Sequence, residues 1–291
     1  MAAAKKVGRR MLQFTFCIPG TQKAATTSLS SLLDKHPSVR RAPKKEMHYF
    51  DQEDRDWDHP DFSDFRVRAR LDRVALGDAT PLYLWWPQAM QRIHRYNPDM
   101  KFVVTFRDPL DRLFSQWAMN RSRWPDVALD WPEFLTRLAP DGLEDRIPDG
   151  IDPGAYRMHS GVVRGYYGEQ LERGFALFGR ERFHAVEFGA FLRDHAGHLD
   201  AVTDFLGLPR YEQHPDLPHG MRGKDAIVGT APSGRDIEAL AERYRHDFAR
   251  FRELSGLDVS GWSLSRVLDG TLEPDELAAS YARKVVPPEG S

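Results

Sequence analysis

One segment near the start of the chain constrains its fold more than any other. Residues 11–18, MLQFTFCI, read as a buried apolar strand. Residues 27–36, TSLSSLLDKH, read as a helix with Leu29, Leu32 and Leu33 on one face and His36-Pro37 closing it. A strand that passes through a tight turn into a helix is the opening of an α/β unit. The pattern repeats along the chain. Residues 101–106, KFVVTF, read as a second, β-branched strand, and DRLFSQWAMNRS after it as a helix. RFHAVEF, residues 182–188, supplies a third strand, and HLDAVTDFLGL a helix ending at Gly207. Residues 237–257 form a long helix with Leu240, Tyr244, Phe248, Phe251 and Leu254 down one side and Gly256 as its stop. The alternation predicts an α/β fold with an open, mostly parallel sheet flanked by helices.

A chain of 291 residues makes one large domain or two small ones. The reading adopted is one domain over residues 13–262, with a short disordered lead at 1–12 and a C-terminal extension at 263–291 whose tail is loose. Residues 124–154 are rich in Pro, Asp and Gly, yet helical WPEFLTRL sits inside them, so they read as a surface insertion. Lys and Arg total 41 against 43 Asp and Glu, for a formal net charge of −2, so no basic field argues for a nucleic acid polymer. Cys17 is the one cysteine, which excludes an internal disulfide and a thiolate metal site. The N-terminus MAAAKKVGRRMLQF is basic, but no long apolar run follows. The expectation is therefore no signal peptide, no membrane span and a cytoplasmic location. Nothing in the sequence sets the oligomeric state.

The turn between the first strand and its helix carries chemistry. Backbone N–H groups at a helix start point toward one spot, and the helix dipole makes that spot attractive to an anion. Lys23 adds a mobile positive charge, and Thr26, Thr27 and Ser28 add hydroxyls, a set that suits phosphate or sulfate. The ATPase pattern G-x-x-x-x-G-K-[ST] is not met, because Lys23 precedes the hydroxyls by three residues and lacks the required glycine before it. A surface lysine before a Thr/Ser helix cap is the competing reading. A second anion site is expected where Arg107 follows the strand at 101–106 and Ser115 lies about two helical turns on. Its competitor is a pair of i,i+4 surface contacts, Arg107–Asp111 and Asp108–Arg112.

Three stretches, IPGTQKAATTSLSSLLDKHPSV, KKEMHYFD and KFVVTFRDPLDRLFSQW, together resemble the sulfotransferases that use 3′-phosphoadenosine 5′-phosphosulfate (PAPS). The closest flavour is the carbohydrate branch that includes the heparan sulfate N- and O-sulfotransferases. GDATPLYL, RGYYGEQLERGFALFG, DAVTDFLGLP and RELSGLDVSGW extend the likeness in order, from about Phe14 to Trp262. It departs at Ala25, where that family's loop often carries glycine.

The resemblance implies a P-loop-like sulfotransferase fold, PAPS as donor, adenosine 3′,5′-bisphosphate (PAP) as product, and no metal requirement. It implies that Gln22, Lys23, Ala24, Ala25, Thr26, Thr27 and Ser28 hold the 5′ end of the nucleotide, with Lys23 stabilising the leaving phosphate oxygen. It implies that Arg107 and Ser115 bind the 3′-phosphate and that Arg222, Gly223 and Lys224 form a basic loop over the nucleotide. Glu46 matches the branch's catalytic glutamate, with His48 and Asp51 supporting the base or the acceptor. In extended backbone Glu46 and His48 share a face, while Asp51 joins them only if the chain turns. The structural alternative for Glu46 is an ion pair with Lys44 or Arg41.

The expected acceptor is a small molecule or a glycan. Trp57, Tyr83, Trp85, Trp86, Trp124 and Trp131 could stack on sugar rings, though packing is the commoner role for any one of them. Ala79 stands where the heparan branch carries a lysine for its acidic polysaccharide, so a neutral sugar, a glycolipid headgroup or a hydroxylated natural product is favoured over a long polyanion. Two rival readings are a P-loop-type small-molecule kinase and a non-catalytic nucleotide-binding protein.

Overall fold

The computed structural model describes residues 9–63, 65–70, 75–218 and 227–287. In chain order, β1 is Arg9–Leu12, β2 Phe16–Cys17, α1 Thr26–Asp34, β3 Val39–Arg41, β4 Val67–Arg70 and β5 Ala75–Asp78. Then come α2 at Ala89–Tyr96, β6 at Lys101–Phe106, α3 at Pro109–Arg123, α4 at Trp131–Thr136 and α5 at Pro153–His159. They are followed by α6 at Tyr167–Phe178, β7 at Phe183–Glu187, α7 at Phe188–Arg193 and α8 at His195–Leu206. The last elements are β8 at Ile227–Val228, α9 at Gly234–Ser255, α10 at Ser263–Leu268, α11 at Pro274–Ala282 and β9 at Val285–Val286. The chain divides into two compact units, residues 1–106 with 174–218, and residues 107–173 with 219–291.

The first unit holds a five-stranded parallel sheet in the order β3-β5-β2-β6-β7. Parallel strands of this kind are covered on both faces, so they carry near-continuous apolar runs. β6 shows this, with Phe102, Val103, Val104 and Phe106 all buried. Phe16, Leu29, Leu32, Leu33, Val103 and Val202 belong to one core cluster. α8 starts under the Asp194 carboxylate, which accepts from Gly197 N, and stops at Gly207 in the left-handed region (φ 76°).

The expected strand at 11–18 is two strands in different sheets, because β1 pairs antiparallel with β4 while β2 sits mid-sheet. The break falls at Phe14. Its N–H donates to the Tyr96 hydroxyl at 2.7 Å and its carbonyl accepts from Asn97 at 2.9 Å, so neither is left for a ladder. Arg9–Leu12 thus form a strand within the stretch read as lead.

The second unit is helical around α9. A Ser233–Asp236 capping box starts that helix, and Gly256 (φ 66°) ends it. Its buried Asp247 accepts from Gly168 N at 3.0 Å and Glu169 N at 2.8 Å, pinning the first turn of α6. The 263–291 extension contributes α10, α11 and β9, and β9 pairs with β8.

Gly77 in β5 permits the packing of the sheet centre, because a Cβ there would come within 2.1 Å of the Phe16 ring. Phe16 is buried and cannot swing aside. Gly77→Ala is expected to cost about 1–3 kcal/mol by overpacking, read as a lower denaturation midpoint. An unchanged midpoint would show that the ring has room to move.

Candidate functional site

The loop after β2 is stitched to its neighbours. Ile18 N donates to Asp78 O at 2.8 Å, Thr21 N to Thr105 O at 2.7 Å, and Thr105 N to Gly20 O at 3.0 Å. Lys23 (φ 73°) and Ala25 (φ 60°) both adopt the left-handed backbone that side chains disfavour. Ala25 thus keeps the conformation for which glycine would be the easy choice. Ala25 is also the residue before α1, whose start has no side-chain cap and no acid in its first turn. Amides in that state suit an anion. Thr21 is buried, and its Oγ1 meets no partner among the described residues. A buried hydroxyl, uncapped amides and Lys23 in one loop fit a phosphosulfate group.

Glu46 (φ 61°) and His48 (φ 51°) are left-handed as well. Six described non-glycine residues have positive φ, and four of them were singled out as site residues from sequence; such strain concentrates where structure serves function. His48 Nδ1 lies 2.7 Å from Asp51 Oδ2, and His48 Nε2 lies 3.5 Å from Glu46 Oε2. The chain therefore turns, and Asp51 joins the other two in a line of carboxylate, imidazole and carboxylate. Asp51 is buried, whereas Glu46 and His48 are each about one-third exposed. Glu46 also pairs with Lys45; Arg41 instead pairs with Asp34 at 3.0 Å. The His48 hydrogen bond, opposed by burial and aided by Lys45, holds the Glu46 carboxyl down from 4.5 to about 2.

Asp78 and Thr80, which sequence reasoning did not assign to the site, and Tyr83, expected there only as an aromatic that could stack on a sugar, hold this strained segment. The Thr80 hydroxyl accepts from His48 N at 3.4 Å and donates to Asp78 at 3.0 Å, and the Tyr83 hydroxyl accepts from Tyr49 N at 2.8 Å. Burial pushes Asp78 up to about 6. The signal was present in GDATPLY, where an acid at a strand end precedes Thr-Pro. Beyond Asp51, Glu53 makes two hydrogen bonds to Arg92, at 2.8 and 2.7 Å, and accepts from the Trp86 indole at 2.7 Å. Tyr83, Trp85, Trp86 and Trp131 are buried packing residues, while Trp124 is exposed.

In the second unit, Arg107 follows the end of β6 in sequence, and its carbonyl accepts from the Tyr167 hydroxyl at 2.9 Å. Asp108 is the cap of α3, accepting from Leu110 N at 2.8 Å and Asp111 N at 3.2 Å, with Pro109 as the first helical residue. Asp108 and Arg112 are buried, so neither is the surface charge of the competing reading. From 107 to 117 only Arg107, Asp111 and Ser115 are partly exposed; Asp111 and Ser115, four apart within α3, share one face of it, and Arg107 lies just before its cap. Arg222, Gly223 and Lys224 lie outside the described residues. Among the described residues no cluster of His, Cys, Asp and Glu has metal-site geometry.

A family model described as "Sulfotransferase family" matches residues 62–213. Heparan sulfate glucosamine 3-O-sulfotransferase 6 of Mus musculus is 29% identical over 90% of this chain and 77% of its own length. Its Homo sapiens counterpart is 30% identical over 84% and 72%. The crystal structure of a sulfotransferase from Alicyclobacillus acidocaldarius superposes with a TM-score of 0.66 at 28% identity, covering 86% of this chain and 98% of that one. The cytoplasmic location expected from sequence does not stand against these matches, which are named as heparan sulfate sulfotransferases. That expectation rested on the lack of an apolar span. Among the described residues no helix is long and apolar enough to cross a membrane, a fact that does not speak to location.

The depressed Glu46 makes a signed prediction. Its folded value lies below its unfolded one, so its contribution to stability is present above pH 4.5 and is lost as the pH falls toward 2. Glu46→Gln is expected to lower the melting temperature at pH 7, with the gap narrowing below pH 4.5 and closing as the pH approaches 2. A constant offset across that range would assign the loss to packing instead of charge.

Proposed function

The chain belongs to the sulfotransferase family as a PAPS-dependent enzyme of the heparan sulfate branch, and we propose that it passes a sulfuryl group in line to a hydroxyl of a sugar, with Glu46 as the base. PAPS supplies an activated sulfate on a good leaving group. Every other contribution comes from this chain. The Gln22–Ser28 loop receives the 5′ end, with Lys23 placed to meet charge that grows on the leaving oxygen. Arg107 and Ser115 receive the 3′-phosphate, and Arg222, Gly223 and Lys224 cover the nucleotide. Glu46 takes the hydroxyl proton while His48, braced by Asp51, orients it.

The observation that carries this reading is the line of Glu46, His48 and Asp51 on strained backbone within the unit that holds the uncapped α1 loop. One feature favours a second assignment of the base. A carboxyl held near 2 is ionised but weakly basic, which makes His48, its Nδ1 2.7 Å from the buried Asp51 carboxylate, the alternative. The acceptor reading leans on charge. Asp54, Asp56, Asp58 and Asp61 follow the Glu46–Asp51 segment and are exposed, a poor surface for a polyanion. A neutral sugar, glycolipid headgroup or hydroxylated natural product fits better than a long acidic chain. The kinase reading is set aside with the Walker spacing it lacks.

Glu46→Gln should leave PAP affinity near wild type and slow transfer by about two to four orders of magnitude. Normal transfer by that variant, with an acid limb near the ordinary histidine range, would move the base to His48. Loss of PAP binding in wild type, with ATP and magnesium bound instead, would restore the kinase reading. Binding of PAP with no transfer to any hydroxyl acceptor tested would favour the non-catalytic one. Lys23→Ala should cost more in turnover than in PAP affinity. Equal costs would make Lys23 a binding residue only.

A further inference from the structure

The extension beyond Trp262 lies outside the residues matched by the family model, yet it grips α3 beside the residues read as 3′-phosphate ligands. Leu264 N at the start of α10 donates to Asp108 Oδ2 at 2.9 Å, next in sequence to Arg107. The Tyr281 hydroxyl of α11 donates to Asp111 Oδ1 at 2.8 Å. The Tyr281 ring stacks on Phe114, next to Ser115, with centroids 4.3 Å apart and planes 7° from parallel. Lys284 Nζ covers the pair, 5.6 Å from the Phe114 centroid and 5.7 Å from that of Tyr281. The extension therefore meets α3 at 108, 111 and 114.

Asp111 poses an electrostatic problem. It shares a partly exposed face of α3 with Ser115, in the first turn after Arg107 and its neighbouring cap, where its charge would oppose a phosphate dianion. We propose that the C-terminal extension is a working part of 3′-phosphate recognition: Leu264 N–H and the Tyr281 hydroxyl occupy the carboxylates of Asp108 and Asp111, quieting their charge and fixing the turn that presents Arg107 and Ser115. Tyr281 and Leu264 act here as positioning residues. The proposal rests on the reading that Arg107 and Ser115 take the 3′-phosphate.

The electrostatics agree with the geometry. Burial first, and Asp111 second, push the Asp108 carboxyl up, while the amides of Leu264, Asp111 and Leu110 hold it down. Burial and the two carboxylates push the Tyr281 hydroxyl up, which keeps it a donor, and Arg107 is among the charges it feels. Tyr281 is thus within electrostatic reach of Arg107.

The test compares dissociation constants of the full chain for PAP and for 5′-AMP by calorimetry. Wild type should prefer PAP, and Arg107→Ala should lose that preference. Tyr281→Phe keeps the ring stack and removes the donor. It should weaken PAP about tenfold and 5′-AMP less than about twofold. Adding Asp111→Asn to Tyr281→Phe removes the uncovered charge and should bring PAP affinity back to within about twofold of wild type. A merely structural Tyr281 would weaken both nucleotides alike. Equal weakening, no weakening, or no rescue overturns the proposal while Arg107→Ala still loses the PAP preference. If wild type itself binds both nucleotides equally, the 3′-phosphate reading fails first.

Discussion

The hydrogen bonds between the loop after β2 and the end of β6 are the constraint on which the first unit's site depends. β2 is only two residues long, yet Gly20 and Thr21 continue its pairing by bonding to Thr105. That pairing fixes where the loop leaves the sheet and so where α1 begins. The start of α1 then has no side chain to satisfy its first amides. Capping such an end is worth about 1 kcal/mol, so the uncapped state holds back stability that a bound anion can restore. In the proposed function, the atoms that set this part of the fold are also those that would receive the 5′ end of the nucleotide. β2 and β6 are also the neighbours at which the strand order reverses, the place where open α/β sheets present their ligand crevice.

The Glu46–Asp51 segment shows the opposite relation, with strain held by surrounding structure. Left-handed Glu46 and His48 each cost on the order of 1–3 kcal/mol relative to relaxed backbone. Two kinds of contact offset this. Polar ones come from Thr80, Tyr83 and Asp51, each bonded to the segment directly. Apolar ones come from the residues that follow. Tyr49 packs on Phe65 at 4.4 Å between centroids, and Phe50 packs on Phe65 at 4.9 Å and on Tyr83 at 5.4 Å. Aromatic pairs of this kind add roughly 0.5–1.5 kcal/mol each beyond their burial. Tyr83 thus works with Tyr49, Phe50 and Phe65 as a clamp on the strained turn, while Trp131 packs instead on Trp117 and Phe134.

The sheet and its long helices were legible because periodicity reports burial. KFVVTF and RFHAVEF became β6 and β7, and Gly207 and Gly256 ended their helices in the left-handed region. Local pattern failed where a distant group decided the outcome. MLQFTFCI reads as one strand, and only the Tyr96 hydroxyl and Asn97, far along the chain, divide it. The same holds around the candidate site. Glu46, His48 and Asp51 were visible through resemblance, but extended backbone would have sent Asp51 elsewhere, and no local rule announces two left-handed non-glycine residues in PKKEMHYFD. The grip of α10 and α11 on α3 was invisible for the same reason, because it joins Asp108 to Leu264 and Asp111 to Tyr281 across more than half the chain.

The buried carboxylates reveal what the chain gives up for these positions. Asp78, Asp108 and Asp247 each accept backbone amides, and burial pushes them up to about 6, about 7 and about 6. A carboxyl whose folded value is raised binds its proton more tightly in the folded state. Its contribution is therefore most favourable at low pH and is lost as the pH rises through the folded value. Glu46, held near 2, runs the other way. Near neutrality the raised carboxyls thus work against folding, while the partly exposed Glu46 works for it. Apolar replacements would remove the burial cost, but they would also remove the acceptors that set the turn at Met47, the start of α3 and the start of α6. In this chain the destabilising acids sit where a backbone N–H must point in one direction. Two of the three border the residues to which chemistry or nucleotide binding is assigned, so position is retained there at the expense of stability.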